Sequence, residues 1–417
     1  MKLVERHIIK KAHQFYQQID DLCWRSKNLY NYANYLVRQS FIFEGRYLDN
    51  TKIFHLVKQH ESYKALPSKV SNQVLIVLHR NWKSFLHATE AYYQDPSKFL
   101  GRPKLPKYKD KTQGRNILIY ELGAISQPAL RKGIIKLSQT NIQFPTSASN
   151  IKQVRIVPRC GQYVIEVVYE MEAKPQQLDP NRVAGIDIGL DNLAALTANL
   201  PGFKPVLING KPLKSINRHY NKVKAKLQSQ LKGNAHTSHR INALTCQRNN
   251  QIANYLHNAS RWIINYLVKA GIGTLVIGKN EQWKQEINLG KTTNQTAVAT
   301  TGGTPATRCL NFVSIPHARF IEQLKYKAEL VGITVFIHEE SYTSAASFLD
   351  LDPIPVYKKG ETYNFSGKRI QRAWYKSQDG RLIHADVNAS LNIARKVVPA
   401  AFSLGIEEPL RWTGSPA

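Results

Sequence analysis

The spacing of apolar residues changes along the chain, and each change marks a different kind of structure. The first ten residues alternate between apolar and polar, as a strand does. Residues 12–45 and Pro67–Asp95 place apolar and aromatic residues at helical spacing. Residues 116–172 return to alternation, with Gly, Pro and Asn between the runs. This last pattern predicts several strands of a small barrel or sandwich.

Past residue 182 the pattern is that of an α/β domain, reached through a predicted linker over 174–182. Two strands surround the Gly-rich run "GIDIGLDN", and a long helical stretch follows over about 212–269, with a break predicted at "GNAHTS". A buried strand is predicted at 274–277, ending in a turn at Gly278, and a second one at "ITVFIH". The Thr-, Gly- and Ala-rich run Thr292–Thr307 predicts a mobile loop.

Composition narrows the class of protein. The chain has 417 residues, enough for two or three domains, and 42% of them are hydrophobic. No apolar run is long enough for a membrane span, and the N-terminal residues lack the apolar core of a secretory signal. The four cysteines form no Cys-x-x-Cys pair, which argues against a disulfide framework and a thiolate zinc site. We therefore expect a protein of a reduced cytosol.

Charge is the most informative feature of the composition. Lys and Arg number 58 against 29 Asp and Glu, which gives a net charge of +29 and favours a nucleic acid as partner. The 89 residues between Asp191 and Glu281 contain 13 Lys or Arg and no acid. Such a stretch predicts a surface that follows phosphates. Within it we expect contacts to a nucleic-acid backbone from three lysines: Lys222, Lys224 and Lys226.

A second basic segment, Gly101–Arg115, contains two prolines and a single acid. The prolines predict an extended connector. It is either a solvated linker or a loop that contacts a nucleic-acid backbone, and the concentrated charge favours the loop. The residues expected to make these contacts are Arg102, Lys104, Lys107 and Lys109.

Two acids, Asp187 and Asp386, occupy positions whose chemistry needs an explanation. Asp187 lies within an apolar strand between Ile186 and Ile188, where a buried carboxylate is unfavourable unless a cation compensates it. The simpler alternative is an Asp that caps a turn or pairs with a Lys. Asp386 begins a predicted helix, so it is also explained as an N-cap.

Read together, these two acids predict a metal site. Small residues near the start of that helix, such as Ala389 and Ser390, would let it pack closely against a strand that carries Asp187. Mg²⁺ prefers oxygen ligands and needs few of them from the protein. Two such ions can clamp a phosphodiester, activate water and stabilise the leaving oxygen.

The stretches "VAGIDIGLDNLAALTAN" and "ADVNASLNIARK" resemble the first and third RuvC motifs of the TnpB family, which is encoded by transposons and related to type V CRISPR effectors. "GRPKLPKYKDK", "LKYKAE" and "ESYTS" also resemble that family, in the same order along most of the chain. The resemblance implies an RNA-guided DNA endonuclease of a prokaryotic mobile element, acting in the cytoplasm at the nucleoid. Its partners would be a guide RNA and target DNA, and it would cut with two Mg²⁺ ions, with Asp187 and Asp386 as catalytic, metal-binding acids.

The resemblance also implies a multidomain α+β fold. A β-barrel wedge domain would contain an inserted helical recognition domain and would precede a RuvC domain of the RNase H-like α/β type. The implied bounds are 1–10 and 112–178 for the wedge, 11–111 for the recognition domain, 179–343 and 383–398 for RuvC, 344–382 for a zinc-ribbon-like insertion, and 399–417 for the tail.

The third acid departs from the family pattern. The family places a glutamate at the end of the strand 274–277, where this chain has Gly278. Glu281, Glu339 and Glu340 are the candidates to replace it, and a site without this acid is a further alternative. We favour Glu340, because some relatives are thought to carry the acid just before the "TS" pair and because Gly278 leaves space for a longer reach.

The insertion is the other departure. The family has two Cys-x-x-Cys pairs there, whereas this chain has Ser347 and Asp350 in place of the first and no cysteine in the second. We therefore expect no structural zinc and a small core of aromatic and apolar residues instead.

Two other functions remain open from the sequence. Loss of one acid would leave an RNA-guided DNA-binding protein that does not cut, such as a repressor or targeting subunit. A DD[E/D] transposase would share the metal chemistry and would join transposon ends without RNA.

Overall fold

The computed structural model describes residues 1–279, 314–358 and 361–402. They belong to two compact units, Met1–Glu172 and Ala173–Ala417. Glu281 and the predicted loop Thr292–Thr307 lie outside the described residues. The protein is a mixed α/β, multidomain chain, as the sequence predicts.

The first unit combines long helices with an antiparallel sheet of order β1-β6-β5-β2 and a separate β3-β4 hairpin. The strands are β1 (Lys2–Ile9), β2 (Leu118–Glu121), β3 (Ile134–Lys136), β4 (Gln143–Pro145), β5 (Ile151–Arg159) and β6 (Gln162–Glu170). The helices are α1 (Tyr16–Phe43), α2 (Asn50–Val57), α3 (Glu61–Lys64), α4 (Ser68–Gln94) and α5 (Gln127–Leu130). The predicted long helices and the predicted run of strands are confirmed.

Helices α1 and α4 pack on each other through their apolar faces. Trp82 of α4 is fully buried, and its indole nitrogen donates a hydrogen bond of 2.9 Å to Asn34 of α1. A buried Trp needs such a partner for its one polar group. The same core continues under the sheet through residues such as Leu118 and Ile165.

The second unit is built on a five-stranded sheet of order β11-β10-β7-β8-β9. Its strands are β7 (Asp179–Asp187), β8 (Asn192–Ala198), β9 (Val206–Asn209), β10 (Ile272–Gly278) and β11 (Thr334–His338). Its helices are α6 (Lys211–Ser229), α7 (His239–Lys269), α8 (His317–Val331) and α9 (Ala385–Val397). A small antiparallel sheet adds β12 (Lys368–Arg369), β13 (Trp374–Lys376) and β14 (Leu382–His384). The predicted break in the long helical stretch is confirmed between α6 and α7.

Three expectations about this sheet are wrong in part. The predicted linker over 174–182 is already strand from Asp179 onward, because β7 begins there and pairs with β10. The strand β11 is not buried: Phe336 and Ile337 are 45% and 41% exposed. It lies at one edge of the sheet, where one side of the strand has no neighbouring strand among the described residues. The strand β10 also continues through Gly278 instead of turning there.

Helix α9 lies unusually close to strand β7. The Ser390 hydroxyl donates to the carbonyl oxygen of Gly185 at 2.8 Å and also contacts the Thr197 hydroxyl at 2.9 Å. A Cβ atom on Gly185 would overlap the carbonyl oxygen of Ser390. Only glycine lets the two backbones approach in this way, so Gly185 sets the distance between the helix and the strand.

We expect Gly185→Ala to lower the free energy of unfolding by about 1–3 kcal/mol or more, since overpacking against a backbone atom cannot be relieved by one side chain moving. Urea unfolding of the full chain measures this. Gly101→Ala is the matched control, because a Cβ there meets no atom within 4 Å. Equal stability of the two variants would contradict the close packing of α9 on β7.

Candidate metal centre

The candidate site lies where three parallel strands end. The strands β7, β10 and β11 run parallel, so their carboxyl ends meet at one edge of the sheet. Asp187 is the last residue of β7, Gly278 is the last residue of β10, and Glu339 and Glu340 directly follow β11. Functional groups in open α/β sheets collect at this edge.

The charges of Glu340 and Asp386 act on Asp187. Burial raises the pKa of Asp187 well above its ordinary value, and the charges of Glu340 and Asp386 raise it further. The guanidinium of Arg369 acts in the opposite direction. The charges of Glu340 and Asp386 therefore act on Asp187 in the folded chain, although the three acids are far apart in the sequence.

Glu340 reaches the space above Gly278. A Cβ atom on Gly278 would lie 2.7 Å from the Oε2 atom of Glu340 and 2.6 Å from the Cδ1 atom of Ile393. Any side chain at position 278 would displace this carboxylate. Burial raises the pKa of Glu340 to about 7, and the neighbouring charge of Glu339 adds to the effect.

Glu339 has a different environment. Its carboxylate accepts a hydrogen bond of 2.5 Å from the buried Lys396 ammonium and one of 2.7 Å from the backbone N–H of Ser341. Although burial alone would raise its pKa, the bonds from Lys396 and Ser341 lower the pKa of Glu339. Of the two adjacent acids, Glu339 forms an ion pair with Lys396, and Glu340 is the one whose charge raises the pKa of Asp187.

Asp386 lies in the first turn of α9. Its backbone N–H donates to His384 Nδ1 at 3.2 Å, so His384 caps the helix and the Asp386 carboxylate is not needed for that purpose. The simpler interpretation of Asp386 as an N-cap is therefore wrong. Its Oδ2 atom accepts a hydrogen bond of 2.8 Å from Asn192, and its Oδ1 atom lies 3.8 Å from an Arg369 nitrogen.

The helix α9 also fixes the chain that follows Glu340. The buried amides of Asn388 and Asn392, one helical turn apart, both donate to the carbonyl oxygen of Ala346, at 2.8 and 2.7 Å. Asn392 donates in addition to Thr343 at 3.0 Å. Residues three or four apart share a helix face, which explains why "NASLN" can clamp one loop. Sequence reasoning missed this clamp, although two asparagines at this spacing in an apolar helix were a visible signal.

Two arginines at the site were also missed. Arg369, at the end of β12, lies beside Asp386, and its guanidinium donates to the carbonyl oxygen of Arg372. Arg372 pairs with Asp191, which also pairs with Lys214 of α6. The basic run "GKRIQRAW" was a signal, but nothing in it indicates that the chain folds back towards Asp386.

The region that carries these arginines is held by hydrogen bonds and a small core. Asp352 accepts hydrogen bonds from the backbone N–H groups of Ser347 at 2.8 Å and Ser366 at 3.1 Å. Asp350 accepts one of 2.9 Å from the N–H of Gln378, which links the two places where the family carries its cysteine pairs. Phe348 and Tyr375 are 1% exposed and belong to the core beneath α9.

The donor chemistry of the three acids suits Mg²⁺. They offer only oxygen ligands, which Mg²⁺ prefers. The space at Gly278 holds the Glu340 carboxylate, which a larger residue at position 278 would displace. Among the described residues, no group of three or more acidic, His or Cys side chains is placed so that it could hold a metal ion. Mg²⁺ usually binds one or two carboxylates together with water and substrate phosphates, so a magnesium site does not require three protein ligands.

The basic segment 101–115 is not a free linker in the first unit. It lies along α1, where Asn31 and Asn34 donate to the carbonyl oxygens of Lys109 and Pro106 at 2.9 and 3.1 Å. Lys27 donates to the carbonyl oxygen of Lys111 at 2.7 Å. We call Gly101–Arg115 the basic strap. The alternative of a solvated linker is wrong for its backbone.

The four predicted contact residues of the basic strap differ in their surroundings. Lys104 and Lys107 are exposed to solvent. Arg102 stacks on Tyr93 and donates to its hydroxyl at 3.0 Å. The Lys109 ammonium lies 5.2 Å from the centre of the Tyr30 ring, a cation–π arrangement.

The predicted contact residues of α6 lie along that helix in the second unit. Lys222 and Lys226 are exposed, and the Lys224 ammonium lies 5.7 Å from the centre of the Tyr220 ring. No acid of α6 or α7 neutralises them, because these helices contain none.

Two family models match segments of the chain beyond residue 165. A model described as a probable transposase, OrfB_IS605, matches residues 166–284, and the Cas12f1-like TNB domain matches residues 317–393. The first range contains Asp187 and the second contains Glu340 and Asp386. The resemblance stated from the sequence is confirmed: the chain is a TnpB-like protein.

Several solved structures are distantly similar over nearly the whole chain. A Cas12f1–sgRNA–target DNA complex is 13% identical, with 94% of this chain and 99% of that chain covered and a TM-score of 0.37. The mini-RNA-guided endonuclease CRISPR-Cas_phi3 is 10% identical, with coverage of 99% and 94% and a TM-score of 0.44. C2c1 of Alicyclobacillus acidoterrestris with single-guide RNA is 10% identical, with coverage of 91% and 70% and a TM-score of 0.40. No curated protein sequence matches.

We expect Glu340→Gln to stabilise the metal-free protein above pH 7. A carboxyl group whose pKa is raised from 4.5 to about 7 on folding binds its proton more tightly in the folded state. Its contribution to stability is present below pH 4.5 and is lost as the pH rises through 7. The difference between wild type and variant should therefore change by about 3 kcal/mol from pH 4 to pH 8.

Urea unfolding in EDTA across this range measures the difference. Glu339→Gln is the matched control, with the opposite sign expected: its lowered pKa contributes stability above its unfolded pKa, and this is lost on acidification. A pH-independent difference for Glu340→Gln would show that this carboxyl group is not buried beside another acid.

Proposed function

We propose that this protein is an RNA-guided DNA endonuclease of a mobile element, with Asp187, Glu340 and Asp386 as its catalytic, metal-binding acids. The observation that carries the proposal is the position of the three acids: Asp187 ends β7, Glu340 directly follows the parallel strand β11, and Asp386 lies in the first turn of the helix that packs on β7. The charges of Glu340 and Asp386 also raise the pKa of Asp187. Three acids gathered in a chain of net charge +29 need a cationic partner. The match to a probable transposase model supports the same class of chemistry.

Each of the three acids would hold divalent metal from a different element: the end of β7, the loop after β11 and the first turn of α9. Bound Mg²⁺ ions would supply an activated water and stabilise the developing negative charge on the phosphate. The protein's own contribution is to hold the acids in place through rigid elements. Gly278, Ser390 and the Asn388–Asn392 clamp make that arrangement possible.

Arg369 has a separate role in this proposal. Its guanidinium lies 3.8 Å from Asp386 and is 46% exposed, so it can turn towards an incoming phosphate. Guanidinium groups bind phosphate oxygens with two parallel hydrogen bonds. We assign Arg369 to orienting the scissile phosphate against the acids.

The remaining expectations belong to the same proposal. The wedge domain (1–10 and 112–178) and the recognition domain (11–111) would include all of the first unit and extend into the first residues of the second. The rest of the second unit would contain the RuvC domain (179–343 and 383–398), its insertion (344–382) and the tail (399–417). Guide RNA and target DNA would balance the positive charge, with base pairing selecting the sequence. No helix of the described ranges is long and apolar enough to cross a membrane. Action at a prokaryotic nucleoid follows from this function.

We expect Asp187→Asn, Glu340→Gln and Asp386→Asn each to reduce guided plasmid cleavage by at least about 100-fold without weakening binding to the target. Loss of a direct ligand should exceed the 10–100-fold effect of losing a group that only orients one. The measurement uses purified protein, its co-purified RNA and Mg²⁺, with binding followed in parallel.

Glu339→Gln and Glu281→Gln are the controls, and both should keep the ability to cut. If Glu281→Gln is inactive and Glu340→Gln cuts normally, the third acid is Glu281. If the wild type binds its guided target and never cuts, the protein is an RNA-guided binder. Strand joining at transposon ends without RNA would identify a DD[E/D] transposase.

We expect Lys104→Gln and Lys107→Gln each to lower the slope of log affinity against log salt by about one, since each lysine would neutralise one phosphate. Titrations of nucleic-acid binding at several salt concentrations measure it. The control is Lys152→Gln, because Glu170 already pairs with that lysine at 3.1 Å. An unchanged slope in both strap variants would remove the basic strap from the binding surface.

A further inference from the structure

A cavity of about 470 Å³ opens in the first unit, between the first turn of α1 and the β3-β4 hairpin. Its buried floor is formed by Ala124, Ile125 and Leu137. Polar side chains form its rim: Gln18, Lys136, Ser138, Gln139, Thr140 and Asn141. This size is within the range of sites for small organic ligands.

Hydrogen bonds join the chain segments that line this cavity. The N–H of Ser126 donates to Lys136 and the N–H of Ser138 donates to Ala124, at 2.9 and 3.0 Å, so two chain segments are joined across the floor. The Thr140 hydroxyl donates to Leu137 at 3.0 Å and accepts from the N–H of Ile142 at 3.2 Å, which closes the hairpin turn. Segments that are already joined by hydrogen bonds lose less conformational freedom when a ligand binds.

The rim offers hydrogen-bonding groups that the described parts of the protein do not use. The side-chain amides of Gln18, Gln139 and Asn141 make no hydrogen bond within the described ranges. Gln139 also has a φ of +55°, a left-handed conformation that is uncommon for a residue other than glycine. Such backbone strain is concentrated at sites of function. Of the described residues that line the cavity, none is acidic.

These properties select the chemistry of a ligand. Amide side chains offer donors and acceptors together and are the groups that read the edges of nucleobases. The apolar floor suits the apolar face of a base, and the exposed Lys136 suits a phosphate beside it. Sequence-specific recognition of RNA relies on unstacked bases that enter protein pockets, whereas the bases of duplex DNA stay stacked.

We propose that this cavity binds one unstacked nucleobase of the RNA that the protein carries, with Gln139 and Asn141 reading its edge and Lys136 contacting a flanking phosphate. This inference rests on the proposed RNA-guided function. It adds base-specific recognition of the RNA by the first unit to the phosphate contacts of the basic strap.

The test compares RNA affinity of the full-length protein with and without the two amides. We expect the double variant Gln139→Ala, Asn141→Ala to bind the co-purified RNA about tenfold more weakly, with an unchanged salt slope, because base contacts release no counterions. Ser138→Leu, which fills the cavity, should give a similar loss. Gln143→Ala is the matched control, an exposed amide on β4 that does not line the cavity.

A second measurement locates the base directly. Ultraviolet crosslinking of the bound RNA, followed by peptide mapping, should place a crosslink within residues 136–141 of the wild type and lose it in the double variant.

The outcomes separate this inference from the proposed function. If the wild type binds RNA and the double variant binds it equally well, the cavity proposal is wrong and the guided mechanism stands. If the variant loses affinity for target DNA but not for RNA, the cavity binds DNA, and the proposal that it binds an RNA base is wrong. If the wild type binds no RNA, both proposals fail.

Discussion

Helix α9 contacts every element that carries an acid of the candidate site. Its Ser390 hydroxyl bonds to β7 next to Asp187, its Asn388 and Asn392 amides hold the loop after Glu340, and its first turn contains Asp386. This close contact requires a glycine on β7 and small residues on the helix. The distances between the acids therefore follow from how one helix packs, and a change of packing at Gly185 would move all of them together.

The same helix also separates the two adjacent glutamates. Lys396 lies almost three turns after Asp386 and forms an ion pair with Glu339, so this acid is neutralised outside the site. The charge of Glu340, in contrast, acts on Asp187 and raises the pKa of that acid. Like charges held together in a buried region raise each other's pKa, which is a common property of catalytic carboxylates. A buried ion pair beside the site thus helps to decide which glutamate belongs to it.

Sequence reasoning was strongest where a chemical requirement is local. Asp187 in an apolar strand and the absence of a side chain at Gly278 both concern a few neighbouring residues, and the structure places them at one edge of the sheet. It was weakest where the answer depends on the order of strands. The exposure of β11 follows from its edge position, and an apolar run does not show whether a second neighbour exists. Arg369 and Arg372 were missed for a related reason. They approach the acids because the chain folds back on itself, and no local sequence pattern indicates this reversal.

The attachment of the basic strap has a consequence for how this protein can change over time. The contacts that hold the strap to α1 are made to its backbone carbonyl oxygens, by Lys27, Asn31 and Asn34. Backbone groups are present whatever the side chain, so Lys104 and Lys107 can be exchanged without loosening the strap. Natural drift or deliberate redesign can therefore alter the chemistry presented on that surface while the scaffold beneath it stays the same.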